Sequence, residues 1–218
     1  MTIVARTRSE SIFALLRDHI ITGRSSCGTP LRPAVLAVEL GVAPDSLRQA
    51  LARLEQQRLL IACYTDGYVV RPPSSLEMRE LYALRRTLEP AAAAHAATQS
   101  DEAGRAAAHD AFARLDADRQ LSPCDAAVRN RAFHVALVRP GRQLITIQVI
   151  ENLSVMADRY AIAHLKHAGR NARVYTERAA LLDAFMARDG VALEQLLTRH
   201  IQTMLDELTV DLKVPSEP

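Results

Sequence analysis

Leu36-Ala37-Val38-Glu39-Leu40-Gly41-Val42-Ala43-Pro44-Asp45-Ser46-Leu47-Arg48-Gln49-Ala50-Leu51-Ala52-Arg53-Leu54-Glu55-Gln56-Gln57-Arg58-Leu59-Leu60 reads as two helices about a tight turn, running on into a strand. Gly41 stands where a short helix must end, because glycine takes a left-handed C-terminal position without strain. Pro44 stands where the next helix begins. Two helices joined so closely form a helix-turn-helix, a unit that binds DNA.

On the second of these helices Leu47, Ala50, Leu51 and Leu54 fall at i, i+3, i+4 and i+7 and define the buried face. The opposite face carries Asp45, Arg48, Gln49, Ala52, Arg53 and Gln56. The N-terminal part of a recognition helix meets base edges in the major groove, so Arg48 and Gln49 are the base-reading candidates. Arginine pairs with guanine and glutamine with adenine. Arg53 is placed on phosphate. A helical hairpin with merely solvated arginines is the alternative.

Outward from this stretch, a first helix is expected from about Ser9 to Ile21, with Ile12, Leu15, Leu16 and Ile20 on one face. The second helix is expected over Pro33 to Leu40 and the third over Pro44 to Arg58. Leu59 to Tyr64 and Tyr68 to Arg71 read as two short strands. Thr65-Asp66-Gly67 joins them, and Asp-Gly between apolar runs signals a hairpin. Three helices and a two-stranded wing make a winged helix over residues 1–71. Tyr68 either touches the minor groove or covers the sheet. Arg24 and Arg32 are either phosphate clamps or plain surface residues.

Pro72-Pro73-Ser74-Ser75 resists helix and sheet and reads as a linker. Residues 76–218 are rich in Ala, Leu and Arg at helical spacing, with breaks near Ser100, Ser122-Pro123, Pro140-Gly141, Gly169 and Gly190. About six helices and no strand are expected, so the fold class is mainly α. No repeat of the solenoid kind is visible.

Composition narrows the class. Hydrophobic residues make up 49% of the 218, enough for a packed core. No stretch approaches the roughly 20 apolar residues of a membrane span, and the first residues lack the order of a secretion signal, so a cytoplasmic location is expected. Cys27, Cys63 and Cys124 show no metal-type spacing and read as packing residues. The net charge of +2 is uneven: residues 1–73 hold nine Arg against six acidic residues, placing the basic excess beside the helix-turn-helix.

These motifs together resemble the GntR superfamily of bacterial transcription regulators, in the FadR-type (FCD) branch. In the first domain the likeness rests on Ile20-Ile21-x-Gly23, Pro30-Leu31, Leu36-Ala37-x-x-Leu40-Gly41-Val42, Leu47-Arg48-x-Ala50-Leu51-x-Arg53-Leu54 and Gly67-Tyr68-x-Val70. In the second it rests on Glu80-Leu81-Tyr82-x-Leu84-Arg85-x-x-Leu88-Glu89, Phe133-His134-x-Ala136-Leu137, Asp189-Gly190-x-Ala192 and His200. The resemblance implies an operator-binding homodimer whose all-helical domain, residues 76–218, binds an effector and mediates dimerisation. Two departures stand out. Ala43-Pro44-Asp45-Ser46 replaces the family's Ser-Arg-Thr-Pro, and Arg58 replaces a glycine.

Many members of this branch hold a divalent metal with one Asp and three His. The corresponding positions here are Asn130, His134, Arg178 and His200. An arginine brings a permanent cation and no acceptor, so no metal cofactor is expected. The alternative is a divalent ion on His134, His200 and Asn130. A guanidinium holds a carboxylate directly through two parallel hydrogen bonds. Arg178, His134, Asn130 and His200, with Arg159, are therefore expected to form a metal-free pocket for a small carboxylate. His134 and His200 as plain core histidines are the competing reading, and His164 with His167 is a further possible metal pair.

Two other function classes stay open at this point. A helical metal-dependent enzyme would use His134 and His200, but no Gly-x-Ser-x-Gly turn or phosphate-cradling loop accompanies them. A protein-interaction module with lost DNA binding is the other, prompted by Ala43 to Ser46.

Overall fold

Residues 8–21, 23–64, 67–116, 123–165 and 170–211 are described by the structure, a computed structural model. They fall into two compact units, Met1–Pro73 and Ser74–Pro218.

The first unit contains α1 (Arg8–Ile21), β1 (Pro30–Leu31), α2 (Pro33–Glu39), α3 (Pro44–Gln56), β2 (Leu60–Cys63) and β3 (Gly67–Val70). Its core joins Ile12, Phe13, Leu16 and Ile20 of α1 to Leu47, Ala50, Leu51 and Leu54 of α3, closed by Leu59, Leu60 and Val70. Each large apolar side chain fully buried here contributes roughly 1.5–3 kcal/mol, which is why α3 holds its rotation about its own axis. Gly41 takes φ +60°, and the N–H of Val42 reaches back to the Ala37 carbonyl at 3.0 Å, stopping α2 as its glycine predicts.

The sheet has three strands where two are expected, in the antiparallel order β1-β3-β2. Pro30 and Leu31, read from sequence as loop, pair with Val69 and Tyr68. A two-residue strand carries no periodicity, and its pairing is set wholly by β3. Gly67 is required at the start of β3. A Cβ there would lie 2.5 Å from Pro33 Cδ and 2.9 Å from the Leu31 carbonyl oxygen. Of the expected Thr65-Asp66-Gly67 turn, residues 65 and 66 lie outside the described residues. The third helix stops at Gln56, two residues early, because Arg58 turns left-handed with φ +56° and leads into Leu59. That conformation costs a non-glycine residue about 1–2 kcal/mol.

The described elements of the second unit are all helical: α4 (Ser75–Gln99), α5 (Glu102–Asp116), α6 (Pro123–Val138), a 3-10 turn (Arg139–Gly141), α7 (Leu144–Leu165), α8 (Arg170–Met186) and α9 (Gly190–Asp211). The serines expected in a linker belong to α4. Ser74 caps it by accepting from the Glu77 N–H at 3.3 Å, and Ser75 is its first residue. The Tyr160 hydroxyl bonds both backbone groups of Ser74, at 3.4 and 3.3 Å.

α4 is the central helix, packed on α6, α7, α8 and most extensively on α9. Its alanines let neighbours approach closely. A Cβ on Gly190 would stand 2.8 Å from the Ala94 carbonyl oxygen, so the start of α9 rests on α4 backbone. The core gathers Met78, Tyr82, Phe133, Leu137, Ile150, Phe185, Leu193 and Leu197, all nearly inaccessible.

The cysteines differ from expectation. Cys27 is exposed in the turn before β1 and Cys63 half-buried at the end of β2, so neither is a core packing residue. Short edge elements lack the depth to bury them. The side chain of Cys124 lies outside the described residues, as do those of His164 and His167.

Candidate functional site

Among the described residues, two arrangements carry chemistry. The first is the outer face of α3. Leu47, Ala50, Leu51 and Leu54 are fully buried, which turns Asp45, Arg48, Gln49, Arg53 and Gln56 to solvent. Arg48 donates to the Asp45 carboxylate one turn earlier, with the two side chains 64% and 82% exposed. The Arg53 guanidinium lies over the Phe13 ring of α1, 4.3 Å from its centroid, so this cation is fixed to the helix behind it. Arg32 is exposed at the N-cap of α2, and Arg24 is exposed beyond α1. Tyr68 sits in the central strand, half-buried against the core of its unit. The fully exposed tyrosine is Tyr64, at the end of β2, which sequence reading passed over.

The second arrangement is a polar cluster inside the helical unit, buried except for the half-buried Glu177 and Arg178. Asn130 and His134 come from α6, Glu177 and Arg178 from α8, His200 from α9, and Arg85 and Glu89 from α4. Asn130, His134, Arg178 and His200, four of the five residues expected to share a pocket, are brought together. The His134 and His200 rings stack with centroids 5.5 Å apart, and Arg178 donates to Asn130 Oδ1 at 2.7 Å. Arg159, the fifth, is placed over the Tyr160 ring, 5.5 Å from its centroid.

Two glutamates missed in the sequence orient both imidazoles. His134 Nδ1 is 3.2 Å from Glu89 Oε2, and His200 Nδ1 is 2.7 Å from Glu177 Oε2. Burial alone would raise the Glu89 carboxyl, but the Arg85 fork and the His134 N–H outweigh it and hold the group at about 2. Burial likewise opposes Glu177, whose carboxyl is nonetheless lowered by His200 and Arg173. Ionised carboxylates only accept, so each histidine places its proton on Nδ1. Their Nε2 atoms are then lone pairs, and both are buried without a hydrogen-bond partner.

Burial holds the imidazoles neutral. It lowers His200 to about 4 against the pull of Glu177, with His134 and Arg178 adding to the descent, and it lowers His134 likewise. An unfolded histidine takes its proton near 6.5, so the unfolded chain binds protons that the folded chain refuses. Stability is therefore complete above about pH 6.5 and falls as pH drops toward 4. Urea unfolding is expected to show a loss of about 2 kcal/mol from His200 between pH 7.5 and 5, absent in His200→Gln. Equal pH dependence in both proteins would contradict this.

Arg178 is similarly strained for company. Burial lowers it to about 10, relieved only in part by the charge of Glu177. Its Nε is buried with no hydrogen-bond partner. A family-type divalent metal does not fit these residues. The four positions supply two imidazoles, an amide and a guanidinium, and the amide oxygen already accepts from that guanidinium. No group of three or more His, Cys, Asp or Glu suited to a metal occurs among the described residues. Two surface grooves lie elsewhere in the unit, one lined by residues of α5 and α6 and one by residues of α9.

Comparison with known proteins covers both units. The profile of bacterial regulatory proteins of the gntR family matches residues 8–70, and the FCD domain profile matches residues 80–203. The chain is 28% identical over 211 residues to an uncharacterized HTH-type transcriptional regulator, BphR, of Paraburkholderia xenovorans, covering 93% of this chain and 86% of the relative. It is 25% identical over 200 residues to the HTH-type transcriptional repressor GlaR of Escherichia coli, covering 86% and 90%. The fold is shared with E. coli McbR/YncC, at a TM-score of 0.74 and 20% identity over 94% of this chain and 98% of that one. A GntR regulator from Rhodococcus sp. RHA1 superposes with the same TM-score at 22% identity, covering 93% and 98%. These are regulators and not enzymes, which removes the hydrolase reading of His134 and His200. No described helix is long and apolar enough to cross a membrane. The chain belongs to the GntR family of bacterial regulatory proteins, in the branch with an FCD domain, and is a DNA-binding transcriptional regulator.

Proposed function

We propose that this regulator works as a homodimer on double-stranded operator DNA and responds to a small hydroxycarboxylate held in the helical unit without a metal. The observation that carries this is Arg178. A half-buried arginine whose neutral partner is Asn130, and whose inaccessible Nε has no partner, is a site prepared for an anion. The two imidazole lone pairs beside it require donors. A ligand that offers a carboxylate to Arg178 and a hydroxyl to His134 or His200 satisfies both demands.

A thermal-shift screen of small carboxylates, with and without hydroxyls and with and without chelator, tests this reading. A hydroxycarboxylate at about 100 times its Kd is expected to raise the melting temperature by about 5–10 °C, equally in chelator. A near-stoichiometric metal whose removal lowers stability would count against it.

Support for the homodimer comes from α7. Leu144 and Ile145, 79% and 81% exposed, together with Val149 place a run of apolar side chains in solvent at the start of this helix. A second copy of the helix would cover them. A dimer also gives the two half-site contacts that an operator of this kind needs. Ile145→Glu is expected to yield a folded monomer by sedimentation velocity, with operator affinity at least tenfold weaker. A dimer that persists unchanged would move the interface elsewhere.

A further inference from the structure

Asp45 is an unexpected residue on a DNA-facing surface, because its charge opposes the phosphates that such a surface approaches. It occupies the first turn of α3, exposed, and it accepts a hydrogen bond from Arg48. We propose that Asp45 and Arg48 act as one unit that reads a single G·C base pair in each half-site. This rests on the assignment of α3 as the recognition helix.

The major-groove edge of a G·C pair presents guanine N7, guanine O6 and cytosine N4 in sequence: acceptor, acceptor, donor. The linked pair is the complement. Arg48 has five N–H groups, and with one spent on Asp45 it retains enough to address N7 and O6 together. Asp45 supplies only acceptors, and the one groove-facing donor adjoining O6 is the cytosine amine. The hydrogen bond between the two side chains holds them beside each other, as O6 and N4 are beside each other in one base pair.

Other pairs fit worse. In A·T the Arg48 fork meets the adenine N6 donor, while Asp45 meets the thymine O4 acceptor and the methyl group. In C·G the order of groups is reversed. Adenine alone does not suit the carboxylate either, because its N6 donor adjoins N7, an acceptor that repels the second oxygen.

The test begins with operator selection from a random duplex library using the full-length protein, Asp45→Ala and Arg48→Ala. The wild-type motif is expected to hold one G·C pair per half-site whose identity depends on Arg48. In that operator the cytosine is then replaced by N4-methylcytosine, which keeps the base pair and blocks the groove-facing N–H. Wild-type affinity is expected to fall about 5- to 150-fold, and that of Asp45→Ala by less than twofold. Replacing the guanine by 7-deazaguanine is expected to weaken both of these proteins while sparing Arg48→Ala.

Equal loss in wild type and Asp45→Ala, or no loss in either, overturns the inference and leaves Asp45 as a partner of Arg48 alone. So does a motif with A·T wherever Arg48→Ala changes the selected base. Selection of no preferred sequence by the wild type would instead overturn the recognition-helix assignment, and this inference with it.

Discussion

Replacing Glu89 by alanine is expected to destabilise the helical unit by about 3–5 kcal/mol, among the largest losses open to a single substitution in this chain. The reason is the company Glu89 keeps. It is itself inaccessible, it takes the fork of the equally inaccessible Arg85, and it accepts from the His134 ring. Alanine leaves the Arg85 cation buried without its counter-charge and leaves an imidazole N–H without an acceptor. Domains of this size hold only about 5–15 kcal/mol in all, so the variant is expected to melt far below the wild type in urea followed by circular dichroism. Removing both charges at once separates electrostatics from packing. Arg85→Met combined with Glu89→Met is expected to recover most of the loss, since an apolar pair of similar volume replaces a buried ion pair at little cost. A double variant no more stable than Glu89→Ala would place the effect in helix packing.

The second large effect is on ligand response. Arg178→Met keeps the length and apolar stem of the side chain and removes all its donors. Each charge-assisted hydrogen bond to a carboxylate contributes about 1.5–3 kcal/mol, so the loss of two is expected to weaken effector binding at least 100-fold by calorimetry. Operator binding without effector is expected to stay within twofold of wild type in a mobility shift. Arg178→Lys keeps the charge but not the planar fork, and an intermediate affinity is expected. A methionine variant that still responds at the wild-type concentration would remove Arg178 from the ligand site.

Periodicity made most of the fold legible. The α3 face, the glycine stop at Gly41, the hairpin and six helices were all readable because each leaves a local mark in composition or spacing. β1 was not, since two residues have no period and take their structure from β3. In the buried cluster, Asn130, His134, Arg178 and His200 were found through family positions, whereas the glutamates that set the histidine tautomers were missed. A signal for Glu89 existed: Met78, Tyr82, Arg85, Glu89, Ala92 and Ala96 follow alternating steps of four and three, so two charges stand on the apolar stripe of α4. Glu177 left no such mark. It meets His200 across two helices, and nothing local in the sequence announces that contact. Tyr68 and Tyr64 show the same limit at the wing, where strand register decides which tyrosine is covered.

The bond between Tyr160 and Ser74 bears on where the first turn of α4 is anchored. While that hydroxyl holds both backbone groups of Ser74, the N-cap of α4 is tied to α7. Letting go would free the first turn of α4, and a residue that leaves a helix for an extended chain advances about 3.3 Å instead of 1.5 Å. Four released residues would add about 7 Å of reach. A single phenol hydroxyl on α7 thus sets where α4 begins, and with it the length of extended chain that leads into the helical unit.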